Sequence, residues 1–280
     1  MKFVTYEGPD SRGGRVGYLD GVIVVDAGFA GDMVAFIEAG APIGATRAVP
    51  DAVLRAPLRP RTLRDFLAFE GHLLNVFPAL GKAIPQEWYD VPAHYKGLPD
   101  TVIGPDELIP WPSYTRKLDH ELELAAVIGR AGRDIAEADA LDHVFGYTIW
   151  NDLSARDVQA RELPVGMGPA KAKDWDGSNV LGPCIVTADE VDPYDVDLEV
   201  RINGERWGGA NTLDMHHTFE AMIAYASQAL TLRPGEVLGS GTATGGSGVE
   251  LDRWLAAGDV IEMEASGIGI LRNTVGPRPT

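Results

Sequence analysis

Residues 119–129 read Asp-His-Glu-Leu-Glu-Leu-Ala-Ala-Val-Ile-Gly, and this stretch says most about the fold. The apolar run from Leu122 to Ile128 predicts a buried β-strand. Alternate residues of a strand project to the same face, so Glu121 and Glu123 point the same way. Two buried carboxylates side by side repel each other and are costly to desolvate unless a cation neutralises them. The stretch therefore predicts a site for a hard divalent cation such as Mg²⁺, Mn²⁺ or Ca²⁺, unless it is an edge strand with a solvated acidic face.

Apolar or alternating runs on both sides of this stretch predict further short strands. The runs cover residues 3–6, 15–19, 22–26, 144–151, 180–186, 197–202 and 260–264. Helices are predicted over residues 32–38, 62–80 and 218–230, and 33 glycines and 19 prolines supply many turns between the elements. The pattern predicts an α+β fold that is mostly mixed β-sheet, curled or closed, with a few peripheral helices.

The first 60 residues are predicted to form a small unit of their own. Asp20-Gly21 lies between two predicted strands and is a strong signal for a β-hairpin. The segment Pro57-Leu58-Arg59-Pro60 reads as a linker. We therefore predict a small N-terminal α+β domain over residues 1–60 and a larger domain over residues 61–280, which carries all the candidate chemistry.

The 280-residue chain carries 24 Lys+Arg against 41 Asp+Glu, a formal net charge of −17 at pH 7. So negative a charge argues against nucleic acid or an anionic membrane surface as the main partner. No run approaches the roughly 18 apolar residues of a membrane helix, and the first residues do not read as a signal peptide. We therefore expect a soluble, cytoplasmic protein. The one cysteine, Cys184, excludes an internal disulfide, and its apolar neighbours predict a core position.

Two further polar segments are candidates for chemistry. Residues 150–159 (Trp-Asn-Asp-Leu-Ser-Ala-Arg-Asp-Val-Gln) follow a predicted strand, where folds often present functional groups; the alternative is a charged turn or helix cap. If residues 62–80 are helical, Asp65 and His72 lie about two turns apart and nearly on one face. One would then bind a metal while the other serves as a base. A structural or solvated histidine is the open alternative.

The glycine-rich stretch over residues 239–248 is a weaker signal. It reads Gly-Ser-Gly-Thr-Ala-Thr-Gly-Gly-Ser-Gly and lacks the Gly-Lys-Ser/Thr ending of a phosphate loop. Its backbone N–H groups could still bind an anion. The sequence contains neither a His-Glu-x-x-His zinc motif nor a Gly-x-Ser-x-Gly nucleophile elbow, which leaves the acidic segments as the main candidates.

Together these segments resemble the fumarylacetoacetate hydrolase family. The resemblance rests on six motifs in the family's order, which span about residues 62–275. They are Asp65-x6-His72, residues 92–97 (Pro-Ala-His-Tyr-Lys-Gly), residues 121–124 (Glu-Leu-Glu-Leu), residues 151–159, residues 171–176 (Lys-Ala-Lys-Asp-Trp-Asp) and the glycine-rich end that runs to Glu250. The resemblance implies a mixed β-roll catalytic domain, a small preceding domain and a homodimer.

The resemblance also implies roles for individual residues. The implied ligands of a divalent metal ion, most readily Mg²⁺, are four carboxylates: Asp65, Glu121, Glu123 and Asp152. His72 is implied as the general base on a water molecule, Glu250 as its partner, and Lys173 as a catalytic cation near the developing oxyanion. The implied substrate contacts are Tyr95, Gln159 and Thr242.

Three positions depart from the eukaryotic fumarylacetoacetase pattern. Leu67 and Leu163 stand where that enzyme has substrate-contacting tyrosines, and Gly81 stands where it has a substrate-contacting arginine. We therefore expect the contacts to the far end of the substrate to differ, while the metal ligands and the base are kept.

The predicted function is hydrolytic cleavage of a carbon–carbon bond in a small anionic acylpyruvate or diketo acid, with a metal-stabilised enolate as leaving group. The alternative is decarboxylation or tautomerisation of a 2-oxo acid such as oxaloacetate, which needs the metal but no water-activating pair. A third is a metal-binding scaffold without activity. The pair of His72 and Glu250 favours hydrolysis over the second, and the complete residue set argues against the third.

Overall fold

The computed structural model describes residues 1–8 and 11–279, so residues 9, 10 and 280 lie outside the description. The strands up to residue 128 are β1 (Lys2–Gly8), β2 (Ser11–Asp20), β3 (Ile23–Asp26), β4 (Arg47–Val49), β5 (Val53–Arg55), β6 (Leu63–Asp65), β7 (Tyr95–Gly97), β8 (Val102–Ile103), β9 (Leu108–Ile109), β10 (Leu118–Asp119) and β11 (Leu122–Ile128). The later strands are β12 (Gly132–Arg133), β13 (Val144–Asp152), β14 (Ser154–Ala155), β15 (Asn179–Thr187), β16 (Asp197–Ile202), β17 (Glu205–Asn211), β18 (Thr231–Leu232), β19 (Val237–Gly239), β20 (Val260–Ala265) and β21 (Gly269–Val275). The α-helices are α1 (Met33–Glu38), α2 (Glu70–Val76), α3 (Gln86–Asp90), α4 (Arg156–Glu162) and α5 (Phe219–Ser227).

Most of these strands belong to two sheets. Within the described residues, the large sheet has 12 strands along the path β4-β3-β2-β1-β15-β13-β11-β19-β6-β7, with β5 also paired to β1 and β8 to β15. The second sheet has the order β17-β16-β20-β21-β9. Parallel pairing of β6 with β19 makes the large sheet mixed. The prediction of an α+β fold dominated by mixed β-sheet is confirmed.

Strand β11 lies inside the large sheet, between β13 and β19. All seven of its residues are buried. Its alternate residues enter two separate hydrophobic cores, Leu122 and Leu124 in the first, and Ala125 and Val127 in the second. The alternative of an edge strand with a solvated acidic face is therefore wrong. Helix α5 contributes to the first core and α1 to the second.

The strands of residues 1–60 continue the large sheet. β1 pairs antiparallel with β15, where Phe3 lies opposite Ile185. The predicted hairpin is present: β2 and β3 are joined by Gly21 and Val22, and Gly21 has a φ of +59°, which glycine adopts without strain. A domain boundary at residue 60 stays a prediction.

The helix predicted over residues 62–80 is wrong in its first part. Residues Leu63–Asp65 form β6, and α2 begins only at Glu70. All of β6 is buried beside β19, so tertiary pairing outweighs the local helical pattern. Asp65 and His72 therefore lie at a strand end and on a helix, not on one helix face. Among the strands of four or more residues, β17 and β21 were not predicted, and most of the two- and three-residue strands were not predicted either.

Two expectations from composition concern single features. Cys184 is buried in the first core, which confirms its predicted core position, and burial raises the pKa of its thiol to about 11. Among the described residues, no helix combines the length and the apolar character needed to cross a membrane.

Candidate active site

Four carboxylates converge where neighbouring strands of the large sheet begin or end. Asp65 ends β6, Asp152 ends β13, Glu121 directly precedes β11, and Glu123 is its second residue. Each offers a ligand atom, these atoms lie within 4.8 Å of one another, and all four residues are buried. We call these four residues the acidic cluster. The structure thus brings together the residues implied as metal ligands, while their binding of a metal stays a prediction.

Strand register and one glycine explain this convergence. Gly239 of β19 pairs with Asp65 on one side and with Ala125 of β11 on the other. A Cβ at position 239 would lie 2.5 Å from Glu123 Oε2. Glycine at this position therefore leaves the space that the Glu123 carboxylate occupies.

The acidic cluster fits a hard divalent cation. Asp65 Oδ1, Asp152 Oδ1 and both carboxylate oxygens of Glu123 are buried and lack a hydrogen-bond partner among the described residues. Burial, and then repulsion from neighbouring carboxylates, raises the pKa of Asp65 and of Glu123. Unpartnered carboxylate oxygens at this spacing are the donors that Mg²⁺, Mn²⁺ and Ca²⁺ prefer.

Two buried cations lie against the acidic cluster. Lys173 Nζ donates to Glu121 and, at 2.5 Å, to Asp152 Oδ2, while Arg156 Nη2 donates to Glu121 Oε1 at 2.6 Å. Burial alone would raise the pKa of Glu121, but Arg156 and Lys173 hold it well below its usual value. Burial alone would lower the pKa of Lys173, but Asp152 and Glu121 raise it, so the amine stays protonated at neutral pH.

Arg156 was not among the predicted site residues. It lies inside the polar segment 150–159 and is the first residue of α4. Its Nε donates to Asp119 Oδ2 at 2.7 Å, so the guanidinium bridges two buried carboxylates. The sequence signal was its place four residues after Asp152, but only the fold shows which acids it contacts.

The three predicted substrate contacts lie in different surroundings. Tyr95 O–H donates to Asp152 Oδ2 at 2.5 Å, and burial followed by that carboxylate raises the pKa of the phenol. Gln159 is half-buried, and its Oε1 accepts from Arg156 at 2.9 Å. Thr242 is buried on the glycine-rich stretch after β19. Their contacts with substrate stay predictions.

The predicted base and its partner are in contact. His72 Nδ1 lies 2.8 Å from Glu250 Oε1, so the imidazole and the carboxylate form a buried pair. Glu250 Oε2 also accepts from Asn75 Nδ2 at 2.6 Å and from the Gly245 N–H at 2.8 Å. Burial alone would raise the pKa of Glu250, but its hydrogen bonds, that with His72 first, hold it below its usual value. Asn75, one turn after His72 on α2, was missed by the sequence analysis.

The pair lies close to the acidic cluster. Ser247 Oγ donates to Glu250 at 2.9 Å, and Ser247 forms an isolated β-bridge with Glu121. His72 also contributes to the low pKa of Glu121, after Arg156 and Lys173. Ser247 thus links Glu250, the partner of the imidazole, to Glu121 of the acidic cluster. Tyr95 and Lys173 contact the acidic cluster directly.

A cavity of about 230 Å³ adjoins Tyr95 and Lys173. Its wall also includes Leu98, Pro169 and Lys171. Lys173 both lines the cavity and contacts the acidic cluster, so the cavity has room for the far end of a molecule bound there.

Comparison with known proteins identifies the family. The model of the fumarylacetoacetate (FAA) hydrolase C-terminal domain matches residues 61–276. Oxaloacetate tautomerase fahd2, mitochondrial, of Xenopus laevis is 38% identical over 194 residues, 69% of this chain and 59% of that protein. Oxaloacetate tautomerase YisK of Bacillus subtilis is 36% identical over 193 residues, 67% of this chain and 63% of that protein. The match thus spans less than two thirds of either relative.

Solved structures agree with this assignment over nearly the whole chain. A fumarylacetoacetate hydrolase from Exiguobacterium antarcticum has a TM-score of 0.84 at 30% identity and covers 99% of this chain and 100% of its own. A 5-carboxymethyl-2-hydroxymuconate delta-isomerase from Mycobacterium smegmatis has a TM-score of 0.80 at 28% identity, with 99% of each chain covered. Named relatives are thus hydrolases, isomerases and tautomerases. The chain belongs to the fumarylacetoacetate hydrolase family of enzymes.

Proposed function

We propose that this protein is a metal-dependent hydrolase that cleaves a carbon–carbon bond in a small acylpyruvate or related diketo acid. The observation that carries the proposal is the buried contact of His72 with Glu250 beside the acidic cluster. An imidazole held by a carboxylate is suited to take a proton from water. Hydrolysis needs a pair that activates water, whereas tautomerisation of a 2-oxo acid needs no activated water.

The acidic cluster and its neighbours supply charge stabilisation. A divalent cation held by the acidic cluster would act as a Lewis acid toward the oxygens of a 2-oxo acid and favour the enolate. The protonated amine of Lys173 adds a fixed positive charge beside it, and Tyr95 offers a phenolic O–H.

The proton moves through His72. Glu250 accepts the Nδ1–H, which leaves Nε2 as the basic nitrogen. Nε2 takes a proton from water while the water oxygen bonds to the ketone carbon farther from the acid group. The carbon–carbon bond then breaks, and its electron pair passes to the methylene carbon as an enolate. That carbon takes up the proton, so one water yields a carboxylic acid and a 2-oxo acid.

The second candidate is keto–enol tautomerisation of a 2-oxo acid such as oxaloacetate. It is favoured by the two relatives named as oxaloacetate tautomerases. The acidic cluster would stabilise the same kind of enolate, and His72 would carry a proton between carbon and oxygen without any attack by water.

Parallel assays separate the two candidates. Acetylpyruvate hydrolysis is followed by pyruvate release, and oxaloacetate tautomerisation by loss of enol absorbance, each with Mg²⁺ and with a chelator. We expect His72→Ala and Glu250→Gln to lower hydrolysis by about 10²- to 10⁴-fold. His216→Ala, a change at an exposed histidine, is the matched control. Full hydrolysis by His72→Ala would refute the base assignment, and tautomerisation without hydrolysis by the wild type would establish the second candidate.

The far end of the substrate is proposed to enter the cavity beside Lys173 and to carry negative charge. Lys171 on that wall donates to the carbonyl of Asp174 and forms no salt bridge within the described residues. We expect Lys171→Met to lower kcat/KM about tenfold for an acylpyruvate whose acyl tail ends in a carboxylate, and to leave one with a methyl end unchanged. Lys82→Met, at an exposed lysine that is not among the residues lining the cavity, is the control. Equal losses for both substrates would contradict the charge preference.

Assembly as a homodimer is likewise a proposal, based on the family resemblance. Light scattering coupled to gel filtration tests it, and a mass near 30.0 kDa, that of one chain, would contradict it.

A further inference from the structure

We infer that Asp119 is a positioning residue on which both the His72–Glu250 pair and the acidic cluster depend. Its effect on turnover rests on the proposed function, whereas its effect on the acidic cluster does not. Asp119 begins the stretch 119–129 and precedes Glu121 by two residues, but no sequence motif gave it a role.

The Asp119 carboxylate is fully buried and accepts four hydrogen bonds. Oδ1 accepts from the N–H of Gly248 at 2.8 Å and of His120 at 2.9 Å. Oδ2 accepts from Arg156 Nε at 2.7 Å and from the N–H of Val249 at 3.1 Å. These bonds occupy the four lone-pair positions of a carboxylate. Each donor would lose a buried partner if the carboxylate were removed.

Two of these bonds fix the turn that carries Glu250. Gly248–Leu251 form a single 3₁₀ turn, whose first N–H groups have no partner within the turn itself. Asp119 supplies that partner from a distant part of the chain. A Cβ at position 248 would lie 2.6 Å from Asp119 Oδ1, so glycine permits the close approach. A shift of this turn would move Glu250 away from His72.

The bond from Arg156 links Asp119 to the acidic cluster. The guanidinium donates through Nε to Asp119 and through Nη2 to Glu121 Oε1. Without the Asp119 charge, Glu121 is the remaining carboxylate partner of Arg156 in this network. The guanidinium would then compete more strongly with a metal ion for the Glu121 oxygens, because residues behind metal ligands set ligand orientation and affinity.

A purely structural role of Asp119 would predict a loss of stability and no separate effect on turnover or metal binding. Loss of any buried, hydrogen-bonded carboxylate lowers stability. A positioning role requires in addition that the loss act through Glu250 on turnover and through Arg156 on the metal. These two effects can be measured separately.

A double-mutant cycle tests the effect through Glu250. We expect Asp119→Asn to lower kcat about 10- to 100-fold with KM within about threefold, because the base is misplaced while substrate contacts remain. In the Glu250→Gln background the same substitution should change kcat by less than about threefold. The full loss in both backgrounds would overturn this part of the inference.

Calorimetric titration with Mg²⁺ tests the effect through Arg156 without any turnover. We expect Asp119→Asn to weaken Mg²⁺ binding about tenfold and Glu250→Gln to leave it unchanged. If the wild type hydrolyses no acylpyruvate, the proposed function fails while this measurement still decides the role of Asp119. Unchanged Mg²⁺ affinity would overturn it.

Asp26→Asn is the matched control. Asp26 is also buried and accepts from Tyr6, Arg15 and the Gly28 N–H, but it belongs to β3. We expect it to lose stability with kcat and Mg²⁺ affinity unchanged. If Asp119→Asn does not fold, Asp119→Ser keeps one acceptor for the turn and loses the charge opposite Arg156, and the same Mg²⁺ titration applies.

Discussion

At the scale of single residues, the acidic cluster contains more negative charge than its protein partners neutralise. Lys173 donates to Glu121 and to Asp152, and Arg156 donates to Glu121. The carboxylate of Glu123 has no hydrogen-bond partner in the described structure. Each carboxylate therefore has a different energetic role, and single substitutions should separate those roles.

Glu123→Gln should have opposite effects on the two forms of the protein. Burial, then the charges of Asp65 and Asp152, raises the pKa of Glu123, so its ionised form is unfavourable without a metal. We expect the metal-free variant to be more stable than the wild type by on the order of 1 kcal/mol at pH 8. Its Mg²⁺ affinity should fall at least about tenfold. Urea unfolding in chelator and calorimetry measure these effects, and a variant less stable in chelator would contradict the first.

Asp26 gives the clearest pH dependence. Burial alone would raise the pKa of Asp26, but Arg15, Tyr6 and the Gly28 N–H lower it to about 2 from 3.8. Because the folded value lies below the unfolded one, this stability is present above about pH 4 and is lost as the pH falls toward 2. We expect Asp26→Asn to cost about 2 kcal/mol at pH 7 and much less at pH 2. Unfolding curves across this range test it, and an equal cost at both pH values would contradict it.

The sequence predicts the carboxylates of the acidic cluster, but not the residues that hold the site in place. Glu121 and Glu123 stand out because an acidic pair at spacing two enters an apolar strand, a pattern that is local in the chain. Asn75 and Asp119 could not be recognised in this way, because their partners lie 175 and 129 residues away, at Glu250 and Gly248. Contacts between distant segments depend on the fold, so they produce no local sequence pattern from which they could be predicted.

At the scale of elements, helix α4 contacts the acidic cluster at its first residue and holds the loop that leads to Lys173 at its last. Its first residue, Arg156, donates to Glu121. Its last residue, Glu162, accepts from the backbone N–H groups of Ala170, Lys171 and Ala172 at 3.3, 2.9 and 3.1 Å. These residues lead directly into Lys173, so Glu162 closes the loop of residues 163–169 and fixes the turn that carries Lys173.

Glu162→Ala should therefore loosen that loop. We expect a loss of kcat/KM of about 3- to 10-fold and faster proteolysis within residues 163–169, because three N–H groups lose a charged acceptor. Glu137→Ala, at an exposed glutamate that begins the 3₁₀ helix Glu137–His143, is the control. Steady-state kinetics and limited proteolysis measure both effects, and unchanged proteolysis would show that the loop does not need Glu162.

A distant pairing partner explains the wrong helix prediction over residues 62–65. The pattern over residues 62–80 suits a helix, yet Leu63–Asp65 pair with β19, more than 170 residues later in the chain. The strand of residues 122–128 was predicted with its observed bounds, because a continuous apolar run needs no knowledge of its neighbours.

At the scale of the whole molecule, the net charge of −17 includes four carboxylates that are buried together. Metal binding should relieve their repulsion and favour the folded state. At a Mg²⁺ concentration about 100-fold above the dissociation constant, we expect a rise in Tm of about 3 to 6 °C. Glu123→Gln should show a smaller rise at that concentration. Calorimetric scans measure both, with NaCl of equal ionic strength as control, and an equal shift with NaCl would point to general screening instead.

The alternation along β11 has a consequence for how the protein tolerates change. The side chains at its even-numbered positions pack in the first core and those at Ala125 and Val127 in the second. Glu121 and Glu123 are odd-numbered and share the face of Ala125 and Val127. Insertion of one residue within β11 would exchange the faces of the positions beyond it, so aliphatic side chains would change cores together. Hydrophobic packing on both faces of β11 therefore fixes the register that positions the two carboxylates. We therefore expect this strand to tolerate substitutions but not insertions or deletions, because a change of length would prevent folding before it could affect catalysis.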